Sequence, residues 1–256
     1  MVGRASRAWA LLALLSAHAA AGATADGLWT ALNRARTFTA RGQVDVTVNF
    51  PPRAEPTRRA AQLPAVPFRP ALLRRNFRVV LAGEEQVAGR VATRYDLTPG
   101  NPGASRWTVW VDVAWQVPLA FEERRPGGAL ARRASFLNVN ATLAAVHRPL
   151  PSPPAGLRAA VLQALPGLQL PDDFTPVEVA RQGGRWTVTL SDGVNVLALV
   201  IAPSGVRAAP GVVSRRVDGR FVWLVGALPQ GDLSGALTDL RRLRPALLEP
   251  FVRPLP

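Results

Sequence analysis

The sequence predicts an α+β fold dominated by antiparallel sheet. Polar and apolar residues alternate along a series of segments, short turns connect most of those segments, and helical spacing is confined to a few short stretches. Alternation with one wet face is typical of antiparallel sheets, because parallel sheets are covered on both faces and need helical crossovers. A chain of 256 residues accommodates one large domain or two modest ones.

Residues 1–25 predict a secretory signal peptide. Arg4 and Arg7 precede an apolar run from Ala8 to Leu15, and small residues end the segment at Ala23-Thr24-Ala25. The alternative is an uncleaved membrane anchor, but the apolar run is far shorter than the ~20 residues that span a bilayer. We therefore expect cleavage near Ala25 and a periplasmic protein, for which nucleic acid is not a partner.

Residues 26–145 are predicted to form the larger domain. An amphipathic helix over 26–36 places Leu28, Trp29 and Leu32 on one face, with Asp26 as a candidate N-cap. The charged run Glu122–Arg125 predicts a sheet edge or a hairpin. Strands are predicted within Val44–Phe50, Phe77–Leu81, Val91–Leu97, Trp107–Val113, Leu119–Arg125 and Leu130–Val139.

Two proline-rich stretches interrupt this pattern. Pro51–Pro70 carries six prolines and four arginines, which excludes a central strand because proline cannot donate to the hydrogen-bond ladder. It is predicted to be a long loop, either a functional lid or a disordered segment. The second stretch, residues 146–156, predicts a semi-rigid linker between two domains.

Residues 157–256 are predicted to form a small α+β domain. A helix follows Pro153-Pro154 and ends at Pro166. Val194–Ile201 is apolar on both faces and therefore predicts a central strand. The remaining predictions are a strand at Trp186–Leu190, the turn Ser191-Asp192-Gly193, a strand pair around Asp218-Gly219, and a last helix over Leu233–Leu243.

Few residues suit catalysis. The absence of cysteine excludes disulfides, thiolate nucleophiles and cysteine-based metal sites. The single histidine outside the leader, His147, lies in the predicted linker, where a solvated role is expected. Adjacent acidic residues on a strand point to opposite faces, so they do not form the carboxylate pair of a glycosidase. We expect no catalytic residues, no cofactor and no metal, and an exported hydrolase is the least favoured alternative.

The charge and the tryptophans favour a binding role. The chain has 31 basic residues, all arginine, and 17 acidic ones, and its net charge of +14 attracts anionic partners. Trp107 and Trp110 must face opposite sides of their strand. Either protein covers both faces, or one face holds an apolar ligand. For the second case the candidate groove is Tyr95, Trp107, Val109, Trp110 and Phe121, and the candidate basic rim is Arg69, Arg74, Arg75, Arg90 and Arg94.

The order of these patterns resembles the MucB/RseB family of sigma-E regulators. The lipoprotein-carrier-like domain of that family is similar to Gln86–Arg90, Tyr95–Pro99, Trp107–Asp112 (WTVWVD), Pro118-Leu119, Gly128, Leu130, Phe136 and Val139. Its small C-terminal domain is similar to Leu170–Phe174 (LPDDF) and Leu190–Gly193 (LSDG). These matches cover most of the chain after the leader.

The resemblance implies a strongly curved, unclosed antiparallel half-barrel with helices in its concavity, followed by a small α+β domain. It also implies function by binding. The larger domain would sense lipid or lipoprotein, and the smaller would help to bind the periplasmic part of an anti-sigma factor and shield it from proteolysis. The expected partners are therefore an anti-sigma factor and acyl chains or lipoprotein. A periplasmic lipid or lipoprotein carrier is the alternative.

Overall fold

The computed structural model describes residues 25–51, 54–205 and 209–253. Apart from Ala25, the predicted leader lies outside the described residues. Among the helices in those ranges, none is long and apolar enough to cross a membrane. Two large antiparallel sheets, each with its own hydrophobic core, organise this part of the chain.

Seven antiparallel strands form the larger sheet, in the order β3-β2-β8-β7-β6-β5-β4. Its edges are β3 and β4, so the sheet is curved but unclosed, which confirms the half-barrel. Register shifts in several strand pairs bend it further. The strands are β1 (Phe38–Thr39), which pairs with β9 (Ala144–Ala145) in a separate ladder, and β2 (Gly42–Val48), β3 (Thr57–Ala60), β4 (Phe77–Val87), β5 (Arg90–Pro99), β6 (Arg106–Asp112), β7 (Pro118–Arg124) and β8 (Leu130–Val139).

Two helices pack against this sheet. Helix α1, over 25–34, buries Leu28, Trp29 and Leu32 in the same core as strand residues such as Val109, as its amphipathic pattern predicts. Ala25 is already helical, so the predicted N-cap role of Asp26 is wrong. Helix α2 (Pro70–Asn76) begins at a proline, whose fixed φ suits a first helical turn, and it buries Leu73 completely. We call this sheet with α1 and α2 the half-barrel.

Five antiparallel strands form the second sheet, in the order β10-β11-β12-β14-β13. Because β12 is apolar on both faces, it lies in the centre of the sheet as expected. The last predicted helix is shorter than expected and ends at Leu237. We call this sheet with its helices the small unit. Its elements are β10 (Thr175–Gln182), β11 (Arg185–Ser191), β12 (Val196–Ala202), β13 (Val212–Val217), β14 (Arg220–Val225), helices α3 (Leu157–Ala164) and α4 (Gln230–Leu237), and a 3-10 helix over Pro245–Phe251.

Two sequence predictions need correction. Pro51–Pro70 is not a loop throughout, because β3 lies within it and pairs with β2 at the edge of the half-barrel. The prolines lie on either side of β3, which itself contains none, so they limit its length but do not prevent it from pairing. The run Glu122–Arg125 is not at a sheet edge, since β7 lies between β6 and β8, but it does lead into a hairpin, the β7–β8 turn. Glu123 is buried there and pairs with Arg132 on β8.

The half-barrel and the small unit each bury one residue in the core of the other. Val194, in the turn between β11 and β12, is fully buried in the half-barrel core. Ala104, in the turn between β5 and β6, is buried in the core of the small unit. Residues 146–156 connect the two and lie along the half-barrel, where the Arg148 N–H donates to the Arg36 carbonyl at 3.0 Å. The two units are therefore packed together as well as connected in sequence.

Candidate ligand-binding site

The half-barrel contains an apolar cavity of about 260 Å³, which we call the half-barrel cavity. Its walls come from the end of α1, the segment 63–68, the turn before β7 and the connecting segment. Leu32, Leu63 and Phe121 are among the apolar lining residues, and the charged ones among the described residues are Arg36 and Arg148. A hollow with apolar walls and a few convergent polar groups is the usual form of a small-molecule site.

Neither arginine of this cavity has an acidic partner in the part of the chain that the structure describes. Within the described residues, the ion pairs involve other arginines, and neither Arg36 nor Arg148 takes part in one. Partial burial, together with the nearby charge of Arg41, lowers the pKa of Arg148. A bound anion would offset both effects, because it would supply the missing opposite charge.

Arg69 adds a further buried positive charge at the junction of the two units. Its side chain is 8% exposed, and its Nη1 donates to the Pro151 carbonyl at 3.0 Å. Desolvation is the main cause that lowers the pKa of Arg69; Glu178 opposes this effect, and Arg36 and Arg253 add to it. Arginine charge is therefore concentrated where the half-barrel, the connecting segment and the small unit meet.

A second cavity of about 310 Å³ lies between the half-barrel and the small unit, and we call it the cleft cavity. Val46 and Phe121 line it from the half-barrel, and Phe174 and Leu197 line it from the small unit. Its charged lining residues are Arg58, Arg133 and the ion pair between Glu123 and Arg132. The cleft cavity thus combines apolar walls with arginine, as the half-barrel cavity does.

The turn between β11 and β12 fixes the two walls of the cleft. Asn195 Oδ1 accepts the indole N–H of Trp107 at 2.8 Å, and Asn195 Nδ2 donates to the Ser105 carbonyl at 3.1 Å. Next to it, Gly193 accepts the Arg69 N–H at its carbonyl, at 2.7 Å. These bonds join buried polar groups of both units, so the cleft cannot widen without leaving them unpaired.

Asp192 is the titratable group of this turn. Its carboxylate accepts the backbone N–H groups of Val194 and Asn195 at 3.0 and 2.8 Å, and the Asn195 side chain at 2.7 Å. Burial nevertheless raises the pKa of Asp192 to about 6; those hydrogen bonds oppose the rise, and the charge of Asp173 adds to it. The docked turn therefore holds a carboxyl group whose pKa is about 6.

The structure separates the predicted groove residues. Tyr95, Trp107, Val109 and Phe121 are all buried in the half-barrel core, but of these only Phe121 lines a cavity, and it lines both. Trp110 lies on the opposite face of the sheet, as its spacing from Trp107 predicts. There its indole N–H donates to Glu85 at 2.7 Å.

The predicted rim arginines do not line the half-barrel cavity. Arg69 occupies the junction described above, and Arg74 lies over the Trp29 ring at 5.2 Å. The others have further partners: Arg75 bonds to Asn76, Arg90 pairs with Asp112 and lies 3.6 Å from the Trp115 ring centroid, and Arg94 pairs with Glu85 and Asp96.

The cavity arginines Arg36 and Arg148 were missed in the sequence. Arg36 follows Leu32 by four residues, so helical spacing could have placed both on one face. Arg148 lies in the connecting segment, which has no periodicity to place it. Within the described ranges, His, Asp and Glu residues form no group of three or more that could hold a metal ion.

Comparison with known proteins places this fold beside MucB. The crystal structure of MucB has a TM-score of 0.57 and 20% identity, over 88% of this chain and 98% of that one. The complex of Pseudomonas aeruginosa MucA and MucB has a TM-score of 0.59 and 18% identity, over 86% of this chain and 98% of that one. MucB in complex with MucA(peri) has a TM-score of 0.60 and 20% identity, over 86% of this chain and 99% of that one. No protein-family model matches the chain, and no curated protein matches its sequence significantly.

Proposed function

We propose that this protein is a periplasmic regulator of an envelope-stress response, which binds the periplasmic part of an anti-sigma factor. The observation that carries the proposal is the extent of the likeness to MucB, which spans 98–99% of the solved chains and so includes both units. Two of those structures are complexes with MucA. The leader pattern of residues 1–25 supports the periplasmic location.

We further propose that the half-barrel cavity binds an acyl chain of a lipid or lipoprotein. Burial of apolar surface contributes roughly 25 cal/mol per Å², so an acyl chain gains free energy on leaving water for this cavity. Arg36 and Arg148 line the cavity without an ion pair among the described residues, and each can donate to a phosphate or carboxylate. These side chains support binding rather than catalysis.

Sensing then requires that the two ligands affect each other. If an acyl ligand weakens the binding of the anti-sigma segment, the segment must weaken acyl binding by the same factor. Since the half-barrel and the small unit share core residues, a ligand that moves the half-barrel walls also moves the turn of Val194. This contact gives the coupling a physical route.

The test is calorimetric titration of the exported protein with the periplasmic segment of an anti-sigma protein from the same genome. We expect saturable binding, and a weaker affinity when decanoate is present. A segment with the same composition in scrambled order is the control. Equal heats for the native and scrambled segments, or failure of envelope extracts to yield an anti-sigma protein in pulldowns, would contradict the regulator.

The second candidate function is a lipid or lipoprotein carrier, which the half-barrel cavity itself favours. A carrier should remove a fluorescent acylated peptide from vesicles and deliver it to acceptor vesicles. Transfer that saturates with protein, without binding to any anti-sigma segment, would favour the carrier. Binding without transfer would favour the regulator.

A further inference from the structure

The two cavities share a wall that is formed mainly by four residues between β3 and α2. Pro64, Ala65, Val66 and Pro67 line both the half-barrel cavity and the cleft cavity. We call these residues the strap. Phe121 of β7 also lines both cavities. The two cavities are therefore adjacent, with the strap and Phe121 between them.

The strap is fixed at its ends, and its middle is held by one apolar contact, that of the partly buried Val66 with the half-barrel core, rather than by a hydrogen-bond ladder. Leu63 before it is buried in the half-barrel core, and the Phe68 ring after it meets the Trp107 ring edge-on at 5.9 Å. Its prolines have no N–H, and within the described residues neither Ala65 nor Val66 donates a backbone hydrogen bond. Displacement of the strap therefore breaks no hydrogen-bond ladder, and its cost is mainly the loss of the Val66 contact.

Both sides of the strap suit the same class of ligand. Arg36 and Arg148 line one cavity, and Arg58 and Arg133 line the other. None of these arginines is in an ion pair among the described residues. The cleft side also contains the Glu123–Arg132 ion pair, in which the acidic charge is already matched. The other walls are largely apolar, so an anionic group on an apolar chain complements either side.

The volumes limit what one cavity can hold. Sites for drug-sized ligands usually measure about 300–1,000 Å³. At about 260 and 310 Å³, each hollow lies near or below the lower bound. A short chain can occupy the half-barrel cavity alone, whereas a long one needs space on both sides of the strap.

We propose that the strap, Pro64–Pro67, divides a single elongated groove, and that a long-chain anionic amphiphile displaces it to occupy both cavities. A short-chain amphiphile binds in the half-barrel cavity and leaves the strap in place. This inference rests on the acyl binding proposed above, and it adds a chain-length selectivity that the half-barrel cavity alone does not provide.

Strap movement can be measured with a fluorophore at one position. Because the chain has no cysteine, Ala65→Cys supplies a single thiol for an environment-sensitive dye. Ala65 is exposed, so the label need not disturb the core. We expect oleate to shift the emission of this label and decanoate to bind without shifting it. The same dye at Ala141→Cys, an exposed position beyond β8, should respond to neither.

A second variant tests the cost of displacement. Replacing both strap prolines, in Pro64→Gly/Pro67→Gly, frees the backbone and raises the population of the open strap. The dissociation constant for oleate should then fall by about threefold to tenfold, while that for decanoate changes by less than about twofold. Pro126→Gly in the β7–β8 turn is the matched control, and thermal unfolding of each variant checks the fold.

The outcomes separate the two proposals. If decanoate shifts the Ala65→Cys label as oleate does, or if the double glycine variant changes both affinities equally, the strap proposal is overturned and acyl binding stands. If the protein binds neither amphiphile, the strap and the acyl site are both overturned, and the anti-sigma titration still decides the regulator.

Discussion

Asn195 of the small unit accepts the indole N–H of Trp107, a core residue of the half-barrel, at 2.8 Å. The same amide donates to the Ser105 carbonyl of the half-barrel and to Asp192 in its own turn. Both Asn195 and Trp107 are buried, so these groups have no access to bulk water. One amide thus connects the two units through their interiors, and the position of the small unit depends on it.

Loss of this amide should destabilise the protein. Asn195→Ala leaves the Trp107 indole N–H and the Ser105 carbonyl buried without their partner, which costs about 1–3 kcal/mol for each such group. We expect a decrease of about 2–4 kcal/mol in the free energy of unfolding, measured by denaturant titration. Asn140→Ala, at an exposed position, is the control and should change it by less than about 0.5 kcal/mol. Equal effects of the two variants would show that the interface bond contributes nothing.

Gly193 tests how closely the turn approaches the half-barrel. Its φ is +130°, and an added Cβ would lie 2.7 Å from the Leu73 backbone nitrogen. Gly193→Ala therefore combines backbone strain with a clash against α2. Gly219→Ala is the matched control, because that glycine also has positive φ, +74°, but open space around its Cβ.

We expect Gly193→Ala to lower the unfolding midpoint clearly more than Gly219→Ala. The free energy of unfolding should fall by about 1–3 kcal/mol more in Gly193→Ala than in Gly219→Ala, because a clash with backbone cannot be relieved by one rotamer change. Limited proteolysis of residues 146–156 should also become faster in Gly193→Ala alone, because that variant loosens the contact between the units. If both variants lose a similar amount of unfolding free energy, backbone strain explains the effect and the contact between the units does not.

The stability of the interface should depend on pH through Asp192. Burial raises the pKa of Asp192 from 3.8 to about 6, so the folded protein holds this proton more tightly than the unfolded chain does. Its contribution to stability is therefore fully present below about pH 3.8 and is lost as the pH rises through about 6. We expect about 3 kcal/mol of the free energy of unfolding to be lost over this window.

The Asp192→Asn variant isolates that contribution. Other carboxylates, such as Glu85, whose pKa is lowered by hydrogen bonds from Trp110 and Arg94, act with the opposite pH dependence, so the measured stability curve is the sum of both effects. The difference between wild type and Asp192→Asn removes those shared effects. It should favour wild type increasingly as the pH falls from about 7 to about 4. A difference that does not vary with pH would contradict the raised pKa.

Local patterns predicted the strands well where one face is wet. Alternation placed β5, β6 and β8 within a few residues of their observed bounds, since burial of one face determines both register and side-chain direction. The same reasoning missed β3, because this short strand lies within the proline-rich stretch Pro51–Pro70. It also offered a sheet edge as one of two interpretations of Glu122–Arg125, because the pattern of one strand does not reveal the ion pair that Glu123 forms with the neighbouring strand.

The candidate site was harder to predict because it is assembled from segments without periodicity. The strap, the turn of Gly193 and the connecting segment of Arg148 have little regular structure, and their meeting depends on how the units dock. The sequence pattern LSDG at Leu190–Gly193 marked the turn but not its partner. The sequence makes Trp107 a candidate groove residue, yet its ring packs against Phe68 and its indole N–H donates to Asn195.

Charge removal at the half-barrel cavity should weaken the binding of a short anionic amphiphile. In Arg36→Ala/Arg148→Ala the carboxylate of decanoate loses its charge-assisted donors, so the dissociation constant should rise about tenfold, or about 1.4 kcal/mol. Decanol, which has a similar chain and no charge, should bind to wild type and variant alike. Arg58→Ala/Arg133→Ala removes equal charge on the cleft side of the strap and is the matched control in calorimetric titrations. The two double variants remove the same charge and differ only in whether the arginines line the half-barrel cavity. If the control weakens decanoate binding as strongly, net charge governs the affinity and the position of Arg36 and Arg148 does not.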